Sequence, residues 1–105
     1  MVDQAVIARA TTLLREASQP KKIILFGSYG RSEPLEGSDV DLLVVEAEVK
    51  DRVAEMTRLN RVLSPLRIAV DLLVVSQETF EYWAGTPGNV YFQAVREGKV
   101  LYEAA

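Results

Sequence analysis

Gly27-Ser28, ten further residues, then Asp39-Val40-Asp41-Leu42-Leu43-Val44-Val45 is the stretch that decides how this chain is read. Val40 to Val45 has the length and apolar character of a buried strand. Residues two apart on a strand point to the same side, so Asp39 and Asp41 are expected to face one way at its mouth. Two ionised carboxylates set against apolar residues cost on the order of several kcal/mol unless a cation neutralises them. Oxygen ligands of this hard type suit magnesium.

Ahead of that pair, Ile23-Ile24-Leu25-Phe26 is a second apolar run that breaks into Gly27-Ser28-Tyr29-Gly30-Arg31. The pattern predicts a strand ending in a turn. Gly27 and Gly30 would let the backbone come close to a ligand, and a helix starting near Ser28 would aim its N–H groups at the same point, a cradle for phosphate oxygens. Arg31 adds a planar, always charged donor. The third element is Arg67-Ile68-Ala69-Val70-Asp71-Leu72-Leu73-Val74-Val75, a strand-like run with one acid in it. A carboxylate in a central strand is rarely there for structure alone. Were this strand to lie beside that of Asp41, three carboxylates would converge as in a two-metal phosphoryl or nucleotidyl transfer site.

Each of these residues also has a plainer reading. Gly27 and Gly30 serve ordinary turns, Ser28 and Asp39 serve as caps, and Arg31 serves in a surface ion pair of little energetic value. The combination, in strand context, is what argues for a site.

The rest of the chain alternates helix and strand. Val6, Ala10, Leu13, Leu14 and Ala17 recur at helical spacing and predict a helix over about residues 3–18, ended by Pro20. Val49, Val53, Met56, Val62 and Leu63 predict another over about 50–63, its apolar stripe core material, closed by Pro65. Ser76-Gln77-Glu78 starts a helix carrying Phe80, Tyr82 and Trp83; Gly85-Thr86-Pro87-Gly88 breaks it; a last helix runs over about 89–97 to Gly98. Lys99-Val100-Leu101-Tyr102 reads as an edge strand or an extended tail. The aromatic residues of this last third either cover a face of the sheet or form a docking surface.

Composition narrows the function classes. At 105 residues, 49% of them hydrophobic, the chain is expected to be one domain with one core. No run approaches a membrane span and the N-terminal residues lack a signal-peptide layout, so a soluble cytoplasmic protein is expected. With no cysteine and no histidine, metal and proton chemistry must fall to carboxylates. A net charge of −3, with Lys21, Lys22, Arg52, Arg58, Arg61 and Arg67 scattered among acids, argues against capture of long nucleic acid.

Taken together, Gly27, Ser28, Asp39 and Asp41, with Ser38 and Leu42 beside them and Asp71 in the later strand, resemble the motif of the minimal nucleotidyltransferases (MNT) of the DNA polymerase β superfamily. The likeness runs over nearly the whole chain, and Arg96-Glu97-Gly98-Lys99-Val100-Leu101-Tyr102 looks like the usual end of these small domains. It implies a single-domain α/β (α+β) polymerase β-like fold over residues 1–105, a mixed sheet flanked by helices. It further implies that Asp39, Asp41 and Asp71 are catalytic and hold magnesium, expected as two ions, and that Gly27, Ser28, Arg31 and Ser38 bind the nucleoside triphosphate, usually ATP. Small members resemble the antitoxin half of pairs whose partner is a HEPN-domain RNase toxin, modified on tyrosine with AMP. Two other readings stand beside this one: a catalytically silent module that neutralises the HEPN partner by complex formation, and an enzyme acting on a small hydroxylated molecule.

Overall fold

The computed structural model describes all of residues 1–105. Helix α1 (Gln4–Ser18) starts at Asp3, whose carboxylate accepts from the Ala5 N–H at 2.8 Å. It ends where Gln19 turns into the left-handed region at φ 48°, with Pro20 next. The chain continues through β1 (Lys22–Phe26), α2 (Gly27–Gly30), β2 (Val40–Glu46), α3 (Arg52–Leu63), β3 (Val70–Ser76), α4 (Gln77–Ala84), α5 (Val90–Glu97) and β4 (Lys99–Glu103). Asp51, Ser76 and Asn89 cap α3, α4 and α5 with side-chain oxygens, each satisfying N–H groups that a helix start leaves without partners.

The four strands form one sheet in the order β3-β2-β1-β4. β2 and β3 are parallel, and β1 is antiparallel to both β2 and β4. The parallel pair needs a crossover, which α3 provides. The sheet is therefore mixed and flanked by helices on both faces, as the resemblance implies, and Lys99–Glu103 is an edge strand rather than a tail.

Strand alternation sorts the core into two layers. Val40, Leu42, Val44, Leu72 and Val74 pack with Ile7, Ala10 and Leu14 of α1 and Leu59 and Leu63 of α3. On the opposite face Ile24, Leu43, Val45 and Val75 pack with Phe80 of α4 and Ala94 of α5. Because side chains alternate, Asp41 shares the second face with Leu43 and Val45.

Three expectations need correcting. β3 is an edge strand, not a central one, and Asp71 is exposed, so tolerating this acid costs the fold little. The strand starts at Val70 because Arg67, at φ 53°, closes a 3-10 turn over Ser64–Leu66. In α3 the buried residues are Leu59 and Leu63, and Val49 and Met56 pack against the same core; Val53 alone of the expected stripe faces solvent.

Candidate active site

The site is a row across the sheet. Phe26 of β1 pairs with Asp41 of β2, and Asp41 pairs with Asp71 of β3. In the next row inward, Ile24, Leu43 and Leu73 occupy the same face. Ile24 and Leu43 are buried beneath α4 and α5, whereas Asp41 is half-buried and Asp71 exposed. In the carboxylate row only Phe26 still packs against that layer, and cover is lost from Asp41 to Asp71, leaving that part of the sheet open.

Gly27 follows Phe26 directly, at φ 65°. A β-carbon built on it would lie 1.9 Å from Asp41 Oδ2, so the backbone turn presses against the carboxylate as only glycine allows. α2 is a single turn, Gly27–Gly30. What it offers an anion therefore comes from individual N–H groups at its start, not from the macrodipole of a long helix. Its carbonyls are occupied: those of Gly27, Ser28 and Tyr29 accept from the N–H groups of Arg31, Glu33 and Ser32 at 3.0, 2.8 and 3.1 Å.

Asp39 lies exposed just before β2. Burial first, then the charge of Asp71 and that of Asp39, push the Asp41 carboxyl above its ordinary value of 3.8, and Arg31 partly offsets this. They do not close into a ready-made cage of three acidic ligands. Magnesium is commonly held by one or two carboxylates together with substrate phosphates. An open pair of mutually repelling carboxylates beside a glycine turn fits such an ion as half of a site, the other half being oxygens brought by the nucleotide.

The remaining expected residues have side-chain partners outside the row. Arg31 Nη1 is 3.5 Å from Glu97 Oε2, both side chains well exposed. Ser38 closes the turn before β2: its Oγ accepts from the Leu35 N–H at 3.1 Å and its own N–H donates to the Leu35 carbonyl at 2.9 Å. Gly30 does not face a ligand. A β-carbon there would lie 2.5 Å from the Leu25 carbonyl oxygen and 3.3 Å from Gly98 Cα, so its bareness serves the packing of α2 on β1. Tyr29, given no role above, is buried in the core and accepts from the Val2 N–H at 2.8 Å. Phe26 was legible only as the last residue of a run; its place beside Asp41 comes from antiparallel register, which leaves no local signal.

The family model described as a nucleotidyltransferase domain matches residues 7–103. The chain belongs to the nucleotidyltransferase domain family. This nucleotidyltransferase is 34% identical over 82 residues, 78% of either chain, to a Methanocaldococcus jannaschii protein named "Putative protein adenylyltransferase MJ0604". Among solved structures it is similar to a chain of a toxin-antitoxin complex with AMP-PNP, at TM-score 0.67 and 26% identity, covering 98% of this chain and 75% of that one. It is also similar to a chain of the complex between a tri-AMPylated Shewanella oneidensis HEPN toxin and its MNT antitoxin, at TM-score 0.62 and 28% identity, covering 96% and 72%. No helix of this nucleotidyltransferase is long and apolar enough to cross a membrane.

Proposed function

We propose that this chain is a magnesium-dependent protein adenylyltransferase that moves AMP from ATP to a hydroxyl, a tyrosine in our reading, of a HEPN-domain toxin, and so acts in the cytoplasm as that toxin's antitoxin. The observation that carries the proposal is the open row in which Asp41 lies between Phe26 and Asp71, with Gly27 pressed on its carboxylate. The relatives lend the substrate: one is named for protein adenylyl transfer, and two neighbours come from toxin-antitoxin complexes, one with AMP-PNP and one with an AMPylated HEPN toxin.

In this reading the N–H groups of Gly27 and Ser28 bind the β and γ phosphates, with Arg31 and Ser38 completing the nucleotide's surroundings. Asp39, Asp41 and Asp71 would hold two magnesium ions together with phosphate oxygens of the nucleotide. When bound, magnesium neutralises phosphate charge and lowers the pKa of a coordinated hydroxyl. The acceptor oxygen attacks the α phosphorus, the bond to the β-phosphate oxygen breaks, pyrophosphate leaves, and the hydroxyl proton passes toward Asp71. The contribution of the chain is positional and electrostatic, which suits a sequence without histidine.

The test is the intact mass of a co-purified partner before and after incubation with Mg-ATP. We expect a gain of one or more AMP groups, absent with Asp41→Asn; the same gain with that variant would overturn the site. The exposed edge-to-face pair Tyr82–Trp83, centroids 4.9 Å apart, favours a second reading, neutralisation by contact alone. Undiminished suppression of the partner by an Asp39→Asn, Asp41→Asn double variant would establish it.

A further inference from the structure

The closing segment Arg96–Tyr102, which the site described above leaves without a role, meets the glycine turn at three consecutive residues. Gly30 approaches Gly98, and a β-carbon on Gly98 would lie 2.8 Å from the same Leu25 carbonyl oxygen that a β-carbon on Gly30 would strike at 2.5 Å. On one side of this bare contact Arg31 pairs with Glu97 at 3.5 Å, on an oxygen that also accepts from Gln93 Nε2 at 3.5 Å. On the other side Lys99 Nζ donates to Ser32 Oγ. Ser32 is a non-glycine residue in the left-handed region, φ 59°, a conformation that persists where its surroundings hold it.

The topology explains why the two segments meet. β4 is antiparallel to β1, and Lys99 pairs with Leu25. The chain therefore leaves β1 into the turn at the place where it enters β4 from α5. The rigid edge of the sheet supports the corner at Glu97-Gly98-Lys99, and the corner supports residues 30–32.

We propose that Glu97, Gly98 and Lys99 are positioning residues that clasp the nucleotide turn, fixing residues 30–32 so that Gly27 stays seated against Asp41 and Ser28 keeps its place beside it. The proposal rests on the nucleotidyl-transfer reading of the site. It explains why a glycine stands between two opposite charges at 97–99: Gly98 lets the corner close tightly on Ala94 and Leu25, with Gly30 of α2 packed against its α-carbon, and the charges grip the chain on either side. None of the three touches the row of carboxylates. Loosening the clasp should therefore weaken nucleotide capture more than turnover of captured nucleotide.

Lys99→Ala, Lys99→Arg and wild type are compared by urea unfolding, by AMP transfer at varied Mg-ATP, and by backbone amide resonances. Lys99→Ala is expected to raise KM for ATP by roughly three- to tenfold, which at 1.4 kcal/mol per tenfold is about the net worth of one exposed hydrogen bond. kcat and the urea midpoint should stay near wild type, Lys99→Arg should restore KM, and the Gly27 and Ser28 amide resonances should shift in Lys99→Ala. Unmoved resonances with unchanged KM would overturn the clasp, as would a KM rise that merely tracks lost stability. If wild type transfers no AMP, the reading of the chemistry fails, and the amide shifts alone decide whether the clasp exists.

Discussion

Replacing Gly27 by alanine joins the backbone of the turn to the chemistry of Asp41. Two effects add. The residue sits at φ 65°, where a β-carbon costs about 1–2 kcal/mol. The new methyl would also lie 1.9 Å from Asp41 Oδ2 and 2.9 Å from its Cγ, so the carboxylate must retreat by more than about an ångström to reach ordinary van der Waals separation. Asp41 is half-buried at the open end of the sheet, so its side chain can swing outward and the fold survives. A displacement of that size costs about 100-fold in rate. Gly37→Ala is the control: Gly37 has φ 84° and nothing within 4 Å of its would-be β-carbon. Both variants should lose about 1–2 kcal/mol in urea unfolding, and only Gly27→Ala should lose AMP transfer to the partner, read as intact mass over time. Wild-type transfer by Gly27→Ala, or an equal loss of transfer in Gly37→Ala, would refute the claim that the turn seats the carboxylate.

Asp41→Asn should unfold at a urea concentration equal to or above wild type at pH 7, because burial and the neighbouring Asp71 and Asp39 disfavour the ionised carboxyl in the folded state; a clear loss would mean that Asp41 is structural. Glu46, at the end of β2 away from the site, is 8% exposed, with one carboxylate oxygen unpartnered. Burial first, then its contact with Glu55, pushes its carboxyl from 4.5 up to about 8. Glu55 is held ionised chiefly by the fork of Arg58, at 2.7 and 2.9 Å. An acid whose pKa is raised by folding contributes stability that is complete below its unfolded value and lost as pH rises to the folded one. The urea midpoint should therefore fall between pH 4.5 and 8. With no histidine or cysteine to titrate in that window, Glu46→Gln should flatten the decline; an unchanged slope would show that Glu46 ionises normally. Replacing Tyr82 and Trp83 by serine should weaken partner binding by tenfold or more, as for aromatic anchors elsewhere, with the urea midpoint nearly unchanged because both are exposed; calorimetric titration with the partner reads this directly.

The spacing of Gly27, Ser28, Asp39, Asp41 and Asp71, the apolar runs that hold them and the helix start at Ser76 are local features, and the sequence by itself carried the strands, the helices within a residue or two, and the family. Strand period and helix period are written in neighbouring residues, so they can be read without a partner segment. What only the tertiary structure decided is everything that depends on which segments lie side by side. Asp71 became an exposed edge acid beside Asp41, Gly30 a packing contact against Leu25 rather than a ligand contact, Val53 a surface residue, and Phe26 a member of the carboxylate row. The clasp of residues 30–32 by 97–99 joins positions more than sixty apart in the chain, and Glu46 carries no sign in the sequence that α3 will shut it away from water. Register and long-range contact are set by the packing of whole faces against one another, an energy shared among residues distant in sequence that no local pattern records.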